Sequence, residues 1–231
     1  MESVFRAYDG IKADAMFVRG GHRQAFDEYF RGATVFRDSR AAHNLAFMYY
    51  MGCSVPRNYH TARRFYEVAS ALDGGEPLFN LALMCMRGQG GAPAFSAAAA
   101  YMRSSASEGC IEAQMYLGSA HTLGFVFDPI DIECISLIPF HRVLARAIAP
   151  AELAGEGDAR LDDARWGIIE ADEDNALSYI KAAAGREHDE YNTVTLGAAK
   201  FTLGRCLAEG FGSEYDPERG FLMIKAAAEA L

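Results

Sequence analysis

Residues 43–52, HNLAFMYYMG, form an apolar run whose only strongly polar members stand at its start, and residues 79–88, FNLALMCMRG, repeat the outline with Asn80 in the slot of Asn44. The glycines that close such runs, Gly52, Gly88 and Gly124, are spaced by 36 residues. A fixed period of that length marks a repeat array. Leu45, Met48 and Tyr49 fall at steps of three and four, the period of one helix face. A small residue follows the leucine each time, as Ala46, Ala82, Gly118 and Gly204. Such a residue lets a neighbouring helix approach closely. The closing glycine suits a left-handed position just past a helix end, where a side chain would clash.

A second helix is expected after each turn. Ten residues beyond Gly52 stands Ala62, followed by Phe65 and Ala69. Beyond Gly88 come Ala98, Tyr101 and Ser105, and beyond Gly210 come Gly220, Met223 and Ala227. Phe26, Tyr29 and Ala33 occupy the same phase one period earlier, which predicts a degenerate first hairpin with its first helix at roughly 2–19. Asp216-Pro217-Glu218 reads as an N-cap, a first-turn proline and a first-turn acid. In the third full repeat the partner of Gly124 is Ala176, 52 residues away instead of ten, so 42 residues are inserted.

These segments resemble the Sel-one-like repeat family, a branch of the tetratricopeptide-type solenoids. Its first helix and turn read N-L-G-x-x-Y-x-x-G-x-G, and its second helix reads A-x-x-W/Y-Y-x-x-A-A. The matching stretches are NLAFMYYMG, NLALMCMRGQG, YLGSAHTLG and LGRCLAEGFG for the first helix, and ARRFYEVAS, AAAYMRSSA, ALSYIKAAA and GFLMIKAAA for the second. Ser54 and Val126 stand where the pattern has its second turn glycine. The resemblance implies an all-α fold: a right-handed alpha-alpha superhelix, or solenoid, of about five helical hairpins in one domain over 1–231. A long insertion at about 125–171 would separate the helices of one repeat. First helices line the concave side in such folds.

The expected function is a non-catalytic scaffold or adaptor that holds a protein or extended peptide in the concave groove. The candidate binding residues are Asn44, Phe47, Asn80, Leu83 and Tyr116. Two readings of the asparagines stand side by side. As the resemblance implies, the amide can bond the backbone of an extended peptide, since it offers a donor and an acceptor. Alternatively Asn44 and Asn80 cap or bridge neighbouring helices. Tyr50, Phe79 and Met86 make that side too apolar for a plain solvated face, although half or more of these residues are expected to pack against the adjacent repeat.

Composition narrows the classes. The chain carries a net charge of −9, and nine acids against two bases fall within 151–174. No surface of this kind tracks phosphates, so nucleic acid and anionic membranes are not expected partners. No apolar stretch of spanning length occurs, and no secretory signal opens the sequence. Five cysteines without paired spacing predict reduced, mostly buried thiols and a cytoplasmic setting. No cofactor and no metal site are expected.

The competing class is an enzyme or small-ligand or metal sensor with its site in the insertion. There Cys134 and His141 could be drawn as nucleophile and base, or joined with Asp131 and Glu133 as ligands, but no local signature surrounds them. The glycine-rich RGQGGAPAF lacks the Lys-Ser/Thr of a phosphate loop and follows a helix. Trp166 is expected to plug an ordered insertion onto the solenoid. The consecutive apolar residues Phe221, Leu222, Met223 and Ile224 span about 300° of a helix, more than one partner helix covers. Either the natural chain continues past Leu231 or this end pairs with something, and two copies joined through the C-terminal helix, as a homodimer, are the simplest closed solution.

Overall fold

The computed structural model describes residues 8–123, 172–186, 193–212 and 215–229. All regular structure among them is helical, and the chain divides into two compact units, 1–93 and 94–231. The segment 125–171, with Asp131, Glu133, Cys134, His141 and Trp166, lies outside the described residues, as do Gly124 and Val126.

The first unit holds α1 (Gly10–Val18), α2 (His22–Thr34), α3 (Ser39–Met51), α4 (Tyr59–Ser70) and α5 (Gly75–Met86). Each helix packs on the next in sequence. The first helix of the degenerate hairpin starts at Gly10, later than the 2–19 pattern, because Asp9 caps it by accepting from the Lys12 amide; residues 1–7 are outside the described set. Asp38 and Asn58 cap α3 and α4 in the same way through the amides of Ala41 and Thr61. Such a cap satisfies an amide that the helix leaves open, for about 1 kcal/mol each. The core between the helices is built from small residues and a few large ones: Ala13, Ala25, Ala41 and Ala69 around Tyr29, Leu45 and Met48.

The second unit holds α6 (Phe95–Ser107), α7 (Ile111–Leu123), α8 (Glu173–Ala184), α9 (Thr193–Glu209) and α10 (Pro217–Glu229). Asp172 and Asp216 cap α8 and α10 through the amides of Asn175 and Arg219. The small residues after the repeat leucines do what their pattern predicts. A Cβ on Gly118 would meet Ile180 of α8 at 2.8 Å, and a Cβ on Gly204 would meet the carbonyl oxygen of Gly220 at 2.8 Å. Packing of α9 on α10 therefore brings the two backbones together at this glycine pair.

The turn between the helices of a repeat has one recurring geometry. Gly52, Gly88 and Gly210 close α3, α5 and α9 with φ of +77°, +65° and +73°, in the left-handed region that favours glycine. The amide of Asn58 then donates back to the carbonyl of Tyr49 at 2.9 Å, and the amide of Asp216 to that of Leu207 at 3.0 Å. Both span nine residues. In the interrupted repeat the same bond runs from Asp172 to His121 at 2.8 Å, over 51 residues. The excess is the 42 residues read from the sequence, so His121 and Asp172 are joined as the flanks of an ordinary repeat turn are.

Candidate partner-binding face

In the first unit α1, α3 and α5 are the first helices of successive hairpins. On α3, residues 44, 47 and 51 lie within one narrow strip, because steps of three and four return to the same side of a helix. Phe47 is 39% and Met51 48% exposed, whereas Leu45, Ala46 and Met48 are fully buried. Phe47 sets its ring edge-on to Phe17 of α1, with centroids 6.3 Å apart, which carries the strip onto the neighbouring first helix. Arg87, at the end of α5, donates from Nη1 to the hydroxyl of Tyr50 on α3 at 2.9 Å. Leu83 and Phe79 of α5 are half-buried, and Met86 is fully buried.

Asn44 is held by a polar network. Its Nδ2 donates to Oδ1 of Asp14 on α1 at 3.0 Å, the same oxygen that receives the Tyr29 hydroxyl at 2.6 Å. Arg40 pairs with the other Asp14 oxygen at 2.7 Å. Burial first, and then Asp14, push the Tyr29 phenol well above its ordinary range, so it stays a proton donor. Asn80 takes a different local position: its Nδ2 donates at 3.3 Å to the carbonyl of Glu76 one turn back. The two asparagines, equivalent in sequence, are thus used differently. Asn44 ties α1 to α3, and among the described residues Asn80 makes only a long bond within its own helix.

Tyr116, on α7 in the second unit, is 8% exposed, which leaves little of its ring for a ligand. The two histidines of first helices pack on tyrosines. His43 meets Tyr66 edge-on at 5.4 Å, and His121 stacks on Tyr179 at 5.8 Å. Burial, with Arg40 adding to it, brings the His43 pKa down to about 4. Among the described residues no group of acids, histidines and cysteines is arranged to hold a metal ion, and no helix is long and apolar enough to cross a membrane. Cys85, Cys110 and Cys206 are buried free thiols, and burial raises the pKa of each, that of Cys110 to about 12 with Glu112 beside it. A thiol held protonated in this way is a poor nucleophile.

The family profile described as Sel1 repeat matches residues 39–74, 78–110 and 197–230. The chain carries Sel1 repeats. A solved Sel1 repeat protein from Oxalobacter formigenes is similar, with a TM-score of 0.63 at 16% identity, over 90% of this chain and 46% of that one. A protective antigen present in uropathogenic Escherichia coli strains, displaying an SLR fold, gives 0.44 at 23% identity, over 93% of this chain and 44% of the antigen. The chain spans about half the length of these solved structures. No curated protein matches it. The fold is an all-α solenoid of helical hairpins.

The Sel1 pattern places Asn44 with Asn80, and Phe47 with Leu83, at equivalent positions of α3 and α5. What periodicity misses is whatever does not recur. Asp14, the hub of the Asn44 network, has no counterpart in the other repeats that the spacing would reveal. Arg57 follows its closing glycine by five residues and Arg87 precedes its own by one, so no repeat phase pairs them.

Proposed function

We propose that this chain is a non-catalytic scaffold whose protein or peptide partner lies along the first-helix side of residues 1–93, over Phe47, Met51 and Leu83 with Asn44 and Asn80 beside them. One observation carries the reading: Phe47 and Met51, one helical turn apart, are 39% and 48% exposed on a helix whose other apolar side is sealed. An aromatic and a methionine left side by side at a surface suit a protein ligand, since both give large contact area and the thioether adapts in shape. Sel1 repeats generally serve as protein–protein interaction scaffolds, which agrees with it. The buried free thiols support a reducing, cytoplasmic setting.

The test places a photo-crosslinking amino acid at Leu83 or, as control, at the exposed Arg64 of α4, in cells of the native host. A discrete protein adduct at 83, absent at 64 and lost with Phe47→Ser, is the expected result. Equal labelling at both positions, or an adduct that survives Phe47→Ser, overturns the reading.

A further inference from the structure

At the turn ends of α3 and α5 the first unit gathers hydrogen-bond donors without an acid to receive them. Arg87 donates from Nη1 to the Tyr50 hydroxyl at 2.9 Å, and its Nε is enclosed with no acceptor among the described residues. Arg57 makes a long 3.4 Å contact from Nη1 to the Tyr59 hydroxyl and lies 5.9 Å from the centre of that ring. The rings of Tyr50 and Tyr59 are 5.3 Å apart, so the two Arg–Tyr pairs form one cluster. Neither arginine is paired with a carboxylate among the described residues, unlike Arg23, Arg31, Arg40 and Arg63 of the same unit; Arg19, Arg37 and Arg64 have no such partner there either, but they make no Arg–Tyr pair.

The arrangement has a direction. A phenol oxygen that accepts from a guanidinium keeps its own proton to donate, so each pair presents an O–H as well as unused N–H groups. Tyr59 opens α4, and the open amides of a helix N-terminus add positive potential there. The glycine-rich turn after α5 holds the cluster together. Gly90, at φ +78°, lies so close to the Tyr59 backbone that a Cβ would meet the Tyr59 carbonyl oxygen at 2.8 Å. Arg57 is exposed, and Tyr50, Tyr59 and Arg87 are half-buried, so the cluster borders solvent although the Arg87 Nε itself is enclosed. The unit is also the more basic of the two, with eleven Lys and Arg against nine Asp and Glu in 1–93, and eleven against 22 in 94–231.

We propose that Arg57, Arg87, Tyr50 and Tyr59 form a carboxylate-binding site that receives an acidic side chain of the protein partner. The proposal rests on the scaffold reading and adds the chemistry of the partner. Planar guanidinium groups match carboxylate geometry, and charge-assisted bonds of this kind are about twice as strong as neutral ones.

The probe is a hexaglutamate peptide, titrated into the full chain carrying ring-labelled tyrosines and followed by NMR at low salt. Shifts at Tyr50 and Tyr59 are expected, with affinity about tenfold weaker in Arg57→Gln/Arg87→Gln and about threefold weaker in Tyr50→Phe. Arg57→Gln alone, at an exposed position, keeps the test valid if the double variant fails to fold, and is expected to weaken binding about threefold. Arg64→Gln, outside the cluster, is expected to leave affinity unchanged. No binding, equal binding by Arg57→Gln and wild type, or a phosphoserine peptide bound in clear preference to hexaglutamate overturns the carboxylate assignment. Hexaglutamate has no apolar side chain, so its binding reads this cluster whatever Phe47→Ser does to crosslinking.

Discussion

Ser54 and His43 show how single residues carry strain and charge in this chain. Ser54 stands where two other repeats have a glycine and adopts the same left-handed backbone, with φ +66° against +78° at Gly90 and +56° at Gly212. A side chain there costs about 1 kcal/mol that glycine avoids, so Ser54→Gly should raise stability by roughly 0.5–1 kcal/mol in urea unfolding. His43 has a folded-state pKa of about 4 against an ordinary 6.5. The unfolded chain therefore binds the proton more tightly. The stability that neutral His43 contributes is complete above pH 6.5 and is lost as pH falls toward 4. His43→Leu should flatten the fall of the thermal midpoint across that window. Asn44→Ala strips a donor from Asp14 and should cost about 1 kcal/mol, while Asn80→Ala, which loses only a long bond within its helix, should change stability by less than about half of that. The sequence put both asparagines in one slot. It could not show this difference, because the partner that separates them, Asp14, lies outside the repeat pattern.

At the scale of elements, the hairpins were legible because local chemistry recurs among them: a leucine with a small neighbour, a closing glycine and, at α1, α3, α4, α8 and α10, a capping acid or amide. The glycine pair of α9 and α10 is the sharpest case. A Cβ on Gly220 would meet the Gly204 carbonyl oxygen at 2.5 Å and the Ala208 amide nitrogen at 2.8 Å, all backbone atoms that cannot swing aside. Gly220→Ala should force the helices apart and cost about 2 kcal/mol or more, read as a lower unfolding midpoint. The same α10 leaves Phe221 65% and Leu222 60% exposed, while Met223 and Ile224 are half-buried. We expect two copies to pair through these residues at high concentration. Light scattering should then report a mass above the monomer that Leu222→Glu returns to the monomer value; a wild-type monomer at high concentration would remove the basis for this contact. Which side of α1, α3 and α5 stays open was only half legible. Helical phase singled out Phe47, but whether Met86 or Tyr116 is covered depends on neighbours that are distant in sequence.

For the whole molecule, the informative feature is the bond from Asp172 to His121. Replacing 125–171 by five residues restores the nine-residue spacing of the other turns. Partner crosslinking at Leu83 should survive the excision if the function belongs to the helices, and vanish if it belongs to the inserted segment. The described residues that flank the inserted segment, His121 and Asp172, meet at a hydrogen bond, so what the repeat demands of a guest there is that its own ends lie close together. The third turn is a splice port. A fluorescent domain with adjacent termini could be exchanged into it, turning the chain into a reporter of its own partner without touching a helix.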